Sequence, residues 1–243
     1  MLPRRKKFYF ALCFSAVIML LVLIMSLPVF VVRSVNVTGL VRLNEQDVIN
    51  ASGLAGGINF FLASSGRAEK LLTQNPYIAA AEVVKVFPNE ITVKVSERRL
   101  CGYVQDTGNF IYIDGEGRVL EVKENFTEKL PVIVGLDYIS YSKGEILEVP
   151  DKNTFANIML FANLFETYEL EQDIIRVDVK DEEDIRLYIY NIEVKLGSVS
   201  DANDKIRYLK AVLPQIPDVE TKRGTLDLTT GYKNEAARFR LLT

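Results

Sequence analysis

Between residues 8 and 32 the sequence FYFALCFSAVIMLLVLIMSLPVFVV carries no charged side chain. As a helix rising about 1.5 Å per residue it reaches about 37 Å, enough to cross a hydrocarbon core of about 30 Å with some tilt. Arg4, Arg5, Lys6 and Lys7 stand immediately before it and only Arg33 comes closely after. That positive-inside bias keeps the amino terminus in the cytoplasm and sends the remainder outside. A cleaved signal peptide would have an apolar region of about 7–15 residues and a small-x-small cleavage site. SLPVFVVRSV offers no such site. The expectation is a cytoplasmic tail over 1–7 and an uncleaved transmembrane signal anchor over 8–32, with Pro28 ending or kinking the helix.

The stretch beyond the anchor is long enough for one large or two small domains. Lysine and arginine number 29 against 32 aspartates and glutamates, so the basic excess that phosphate backbones require is missing and nucleic acid is not an expected partner. The chain has no histidine. Ser-His-Asp and Cys-His catalysis, HExxH sites and imidazole ligation of zinc or haem are thereby excluded. Two cysteines, Cys13 in the anchor and Cys101 beyond it, are too few and too separated for a disulfide framework, so each is expected to be a free thiol. No cofactor and no metal are implied.

Residues 33–99 read as a small β-α-α-β-β domain. A β-branched run at 35–38 ends at Gly39, and Asn44 then caps a helix with Asp47 in its first turn and Leu43 and Val48 as a hydrophobic staple. Gly53 closes that helix. A second helix fits 67–74, with Ala68, Leu71 and Leu72 on one face and Pro76 preventing its continuation. Strands are expected at 78–86 and 90–97, joined by Phe87-Pro88-Asn89. In the second, Ile91, Val93 and Val95 alternate with Thr92, Lys94 and Ser96, as in a sheet with one covered face. In the first, Lys85 interrupts the series of Ala81 and Val83.

The order VxVTGL, NEQDVINASGLAGGINFF, KLLTQNPYIAAAEVVKVFPNEITVKVSERRL resembles the POTRA domain of the bacterial division proteins FtsQ and DivIB. Pro76-Tyr77, Phe87-Pro88-Asn89 and the exit Ser96-Glu97-Arg98-Arg99 are the family-like markers. Read from the residues alone, the same positions are a helix breaker, a hairpin turn and a solvated strand end.

Residues 100–243 read as a second domain. Strand-like stretches at 102–105, 109–113 and 118–122 flank the turn Asp114-Gly115-Glu116-Gly117. Calcium ligation there would need more ligands at the right spacing, and the sequence supplies none. An amphipathic helix over 153–168 turns Phe155, Ile158, Met159, Ala162 and Phe165 to one face. Strands at 174–180 and 185–197 surround the acidic turn Asp181-Glu182-Glu183-Asp184, read as a solvated hairpin end. A last helix from about Asp201 carries Ile206, Leu209, Val212 and Leu213 inward and breaks at Pro214 and Pro217. Two strands, 225–229 and 236–241, end the chain around Gly231-Tyr232-Lys233-Asn234. YIDGEGRVLEV, Leu130-Pro131-Val132-Ile133-Val134-Gly135 and GTLDLTTGYKNEAARF again resemble FtsQ/DivIB.

The expected fold class is therefore α+β: one amino-terminal transmembrane helix, a β-α-α-β-β POTRA-like domain, then a mixed α/β domain on a largely antiparallel sheet. A final strand at an open sheet edge exposes N–H and C=O groups that can accept another chain. The resemblance implies that this edge receives an FtsB- or DivIC-like bitopic protein, which pairs with an FtsL-like one. The matching positions are Ala237, Arg238, Phe239 and Arg240, with Phe239 as aromatic anchor; the two arginines fit either an acidic partner segment or an edge strand guarded against aggregation by charge. It implies further a non-enzymatic, single-pass scaffold of the inner or plasma membrane at the division septum. Its carboxy-terminal part would be extracytoplasmic and would help regulate septal peptidoglycan synthases. The competing reading is a membrane-anchored cell-wall hydrolase or transferase using a carboxylate pair, although no pair is singled out by its surroundings.

Overall fold

The computed structural model describes residues 4–230, 232 and 238–241. The chain divides into two compact units, Met1–Glu97 and Arg98–Thr243.

The first unit begins with helix α1, Arg4–Met25, and a 3-10 turn, Pro28–Phe30, where proline at the first position needs no N–H partner. The side chains from Leu12 to Val29 are exposed. Among the described residues no helix is long and apolar enough to cross a membrane. The unbroken run of described side chains in α1 covers only 12–25.

Next come β1 (Ser34–Thr38), α2 (Glu45–Ser52), α3 (Ser65–Leu72), β2 (Ile78–Val86) and β3 (Glu90–Glu97). The three strands lie in the order β1-β3-β2, with β1 parallel and β2 antiparallel to β3. Asn44 caps α2 by accepting from the Gln46 N–H at 2.8 Å, and Gly53 ends it in the left-handed region at φ 69°. α3 begins two residues earlier than its sequence pattern indicates, because the Ser64 hydroxyl accepts from the Arg67 N–H and so tolerates Gly66 in the first turn. Val48, Ala68 and Leu72 from the helices meet Ile91, Val93 and Val95 in one core.

Lys85, the irregular residue of β2, donates from Nζ to the Phe60 carbonyl at 2.8 Å and lies over the Phe60 ring, so its charge leaves the inner face along an aromatic wall. Glu97 is not a solvated strand end. Its carboxylate accepts the successive N–H groups of Val41, Arg42 and Leu43 at 2.9, 2.9 and 3.1 Å, satisfying donors of the loop between β1 and α2.

In the second unit a nine-stranded sheet is built among the described residues from β4 (Leu100–Asp106), β5 (Asn109–Asp114), β6 (Val119–Lys123), β7 (Val132–Val134), β8 (Ile174–Asp178), β9 (Ile185–Ile189), β10 (Ile192–Gly197), β11 (Gly224–Asp227) and β12 (Arg238–Leu241). Their order is β12-β11-β10-β9-β8-β7-β4-β5-β6. The hairpins are antiparallel, but β4–β7, β7–β8 and β10–β11 pair in parallel, so the sheet is more mixed than the strand pattern alone indicates. For β7–β8 and β10–β11 the cause is the connections: α4 (Lys152–Thr167) carries the chain from β7 to β8 and α5 (Ala202–Val212) from β10 to β11, and such crossovers return a strand in the same direction.

The stretch 185–197 is two strands rather than one, turned at Tyr190 with φ 50°. Both helices cover one sheet face. α4 contributes Ile158, Phe161, Leu164 and Phe165, and α5 contributes Ile206 and Leu209, to a core with Ile111, Leu187 and Val194. Lys205 is buried in α5, and its ammonium donates to the carbonyls of Leu196 and Ser198 at 2.8 and 2.9 Å.

The turn after β5 is organised by ion pairs. Asp114, 4 % exposed, accepts from the N–H groups of Glu116 and Arg118 through one oxygen and from Arg98 at 2.9 Å through the other. Glu116 takes the same guanidinium at 2.7 Å. The acidic turn 181–184 is likewise local: Asp181 accepts the Glu183 N–H, and Asp184 pairs with Arg186.

Cys101 keeps some surface, but its sulfur donates to the Asp114 carbonyl at 3.0 Å beside Pro131, Ile133 and Phe161. Burial, reinforced by the Asp114 charge, pushes this thiol from 9.0 up to about 12. In a C13S background a thiol reagent at about pH 8 is expected to label Cys101 only after denaturation. Labelling of the folded chain at the unfolded rate would contradict this. Because the folded value is the higher one, the stability held by the neutral thiol is full below 9.0 and is lost as pH rises towards about 12.

Candidate functional site

The two margins of the nine-stranded sheet differ. At one margin the start of β6 is already occupied: Val119 N–H donates to the Glu145 carbonyl at 2.8 Å, Gly144 N–H donates to the Val119 carbonyl at 2.7 Å, and the Arg118 guanidinium reaches the Gly144 carbonyl at 2.6 Å. Glu121 and Lys123, an ion pair, occupy the rest of that strand. Charges and a covering strap are both ordinary protections of a sheet edge.

At the other margin lies β12, which among the described residues is paired only with β11. A terminal strand turns half of its backbone donors and acceptors away from the sheet. The antiparallel register sets Leu241 opposite Gly224, Arg240 opposite Thr225, Phe239 opposite Leu226 and Arg238 opposite Asp227.

Phe239 is half-buried and packs on the core with its partner Leu226, which is fully buried. Gly224 makes this possible: a β-carbon there would stand 2.6 Å from the tip of the Phe239 ring and 2.8 Å from the Arg240 carbonyl. The ring therefore seats β12 on the sheet instead of standing free as an anchor. Arg240 is exposed. Near it Asp227 is held below the ordinary carboxylate range, first by the Thr229 hydroxyl at 2.6 Å, then by the Thr229 N–H and the charges of Lys195 and Arg240. On the same face, opposite the one that packs on the helices, Arg186 bridges to Glu193 at 3.0 Å, and Thr225 donates to Glu193 at 3.5 Å. This face can complement alternating charges on an incoming segment.

Of the four positions expected from the sequence, β12 brings together Arg238, Phe239 and Arg240. Ala237 lies outside the described residues, as do Gly231, Lys233 and Asn234 of the preceding link. Gly224 was not among the expected positions. Its only signal is a glycine opening the strand-like GTLDL, the place where another chain element approaches closely.

A POTRA-type unit followed by a mixed sheet, covered by helices on one face and ending on an edge strand, defines an α+β protein of the POTRA-bearing class. The comparisons narrow the class. Residues 30–98 match the FtsQ-type POTRA domain, and residues 102–229 match the carboxy-terminal domain described as cell division protein FtsQ/DivIB. The chain belongs to the FtsQ/DivIB family of cell-division proteins.

It is 27% identical over 207 residues to the cell division protein DivIB of Clostridium tetani, covering 83% of this chain and 77% of that one. It is 33% identical over 144 residues to DivIB of Geobacillus kaustophilus, 57% and 55% of the two chains. To the cell division protein FtsQ of Syntrophotalea carbinolica it is 24% identical over 201 residues, 82% and 69%. The domain match stops at 229, before β12.

Proposed function

We propose that the protein is a non-enzymatic, single-pass scaffold of the division machinery, arranged as tail 1–7, membrane anchor 8–32, whose last residues Phe30 and Val32 already pack on the POTRA core, POTRA domain 33–99 and β domain 100–243. Its β12 edge would receive an FtsB- or DivIC-like bitopic protein together with its FtsL-like partner. Through them it would regulate the synthases of septal peptidoglycan. The observation that carries this reading is the contrast of margins among the described residues: the start of β6 is hydrogen-bonded to the strap at 144–147, whereas β12, which carries charged side chains as β6 does, has a neighbour strand on one side only. Strand addition uses such an edge for affinity, with side chains supplying specificity. The anchor is supported by the uncharged stretch 8–32, by the four basic residues before it, and by exposed apolar side chains such as Leu20, Leu21 and Val22 at 53–58% of their full surface.

The test uses the full chain in lipid nanodiscs, titrated with the outer segments of the FtsL-like and FtsB- or DivIC-like proteins of the same cell. Saturable binding is expected. R240E should weaken it by roughly tenfold, the effect of losing a charge-assisted contact of about 1.4 kcal/mol. F239D, which also unseats β12, should abolish it. No binding by the folded chain, or equal binding by both variants, would remove the edge from the mechanism.

A further inference from the structure

The segment leaving α1 is fastened to two loops of the POTRA unit. The Asn59 side-chain amide donates to the Met25 carbonyl at 2.7 Å, Phe60 N–H to the Phe30 carbonyl at 2.7 Å, and Val32 N–H to the Ile58 carbonyl at 2.9 Å. Arg33 N–H donates to the Asn89 carbonyl at 3.0 Å, which ties in the turn between β2 and β3. The residues so gathered are aromatic. Phe30 stands 5.0 Å from Phe61 and 5.7 Å from Phe87, and Phe60 lies 6.0 Å from Phe87, centroid to centroid.

Much of this cluster is uncovered: Leu62 keeps 77% of its surface, Phe87 67%, and Phe61 and Val86 each about two-fifths. Single exposed apolar residues are ordinary, but a contiguous patch marks a contact surface.

We propose that this aromatic base of the POTRA unit is seated in the outer interface of the phospholipid bilayer, beside the point where α1 leaves it. The inference rests on α1 being the membrane anchor. Counting about 20 residues for a core of about 30 Å, and starting at Phe8 after the basic run, the far boundary of the hydrocarbon falls near Leu27. The hydrogen bonds from Asn59 and Phe60 to Met25 and Phe30 hold Phe61 and Leu62 close to that level, and the Arg33–Asn89 bond does the same for Phe87. Apolar and aromatic side chains at this depth bury themselves at the headgroup–acyl boundary. Attraction to anionic headgroups is not required, since the chain without its basic tail is acidic. The seat would fix the unit relative to the membrane plane instead of leaving it to swing on its tether.

The sequence contains no tryptophan, so each tryptophan introduced is a unique reporter. L62W, F87W, L21W in α1 and V41W, in the loop that follows the far end of β1 and with 82% of its surface exposed, are each made in the full chain and reconstituted in phosphatidylcholine vesicles with or without brominated acyl chains. L62W and F87W are expected to emit at shorter wavelength than V41W and to lose most of their emission to the brominated lipid, whereas V41W keeps its own. If L21W is quenched but L62W and F87W are not, the seating is overturned and the anchor stands. Blue-shifted but unquenched L62W and F87W overturn it equally, because the patch is then covered by protein. If L21W itself escapes quenching, the anchor reading falls and the seating with it. Quenching of V41W to the same degree would also overturn it, since the unit would then lie flat on the lipid.

Discussion

Replacing Asp114 by alanine is expected to lower the unfolding free energy of the carboxy-terminal unit by about 3–5 kcal/mol, the range seen when one partner of a buried ion pair is removed. The size reflects the several roles of this carboxylate. It is almost fully buried, it neutralises Arg98 whose own side chain is 16% exposed, and it accepts two N–H groups of the turn that carries the chain from β5 to β6. In D114A the two backbone donors lose their acceptor inside the protein, and the guanidinium keeps only Glu116, whose two-thirds exposure makes that pair the weaker one. D114N keeps an acceptor for the backbone but not the charge, so its loss should be intermediate. Denaturant titration of the full chain in detergent, followed by tyrosine fluorescence, reads both. A loss below about 1 kcal/mol in D114A would show that the turn holds without its carboxylate.

The second large effect is expected in the POTRA unit. Gly39 has φ 87°, and a β-carbon there would lie 2.0 Å from the Val95 carbonyl oxygen, a backbone atom in the middle of β3. G39A therefore has to move β1 away from its parallel partner as well as accept a left-handed conformation. Gly57 isolates the second cost: its φ is 97° and nothing lies within 4 Å of its missing β-carbon. G57A should cost about 1–2 kcal/mol, the penalty of the left-handed region, and G39A about 3–5 kcal/mol in total. Equal losses in the two variants would mean that β1 shifts freely and that its pairing with β3 is loose.

The features legible in the sequence are those that neighbouring residues decide among themselves. The strands 78–86 and 90–97, the Asn44 cap and the Gly53 stop all stand where alternation and capping chemistry put them. Misreadings arose where a local signal was weak or a distant partner decided. Tyr190-Asn191 carries no glycine, so alternation ran straight through a turn. Glu97 looks solvated until the loop 41–43 is brought to it by the fold. The inward face of α4 takes Phe161 and Leu164 besides the residues its pattern marked, with Phe161 lying beside Ile133 and Val177 of the sheet.

At the candidate edge the residue types were legible, but the direction of Phe239 was not. Whether an aromatic in a terminal strand faces a partner or its own core depends on the residue across the pair, here Gly224 and Leu226. Parallel pairing was equally out of reach, since it is fixed by where the crossovers α4 and α5 set their strands down.

The unlike margins of the nine-stranded sheet have a consequence for assembly. Among the described residues the β6 side meets the strap at 144–147 and two charged side chains, so the sheet can take an added strand at β12 and not at β6. The sheet thus has a valence of one. Two copies of the chain can join through it only like to like, in a two-fold pair that closes on itself, and a head-to-tail filament of such sheets has nowhere to continue. On the function proposed above, a partner strand and a second copy would compete for the same place, so self-association through β12 and recruitment of the partner would exclude one another.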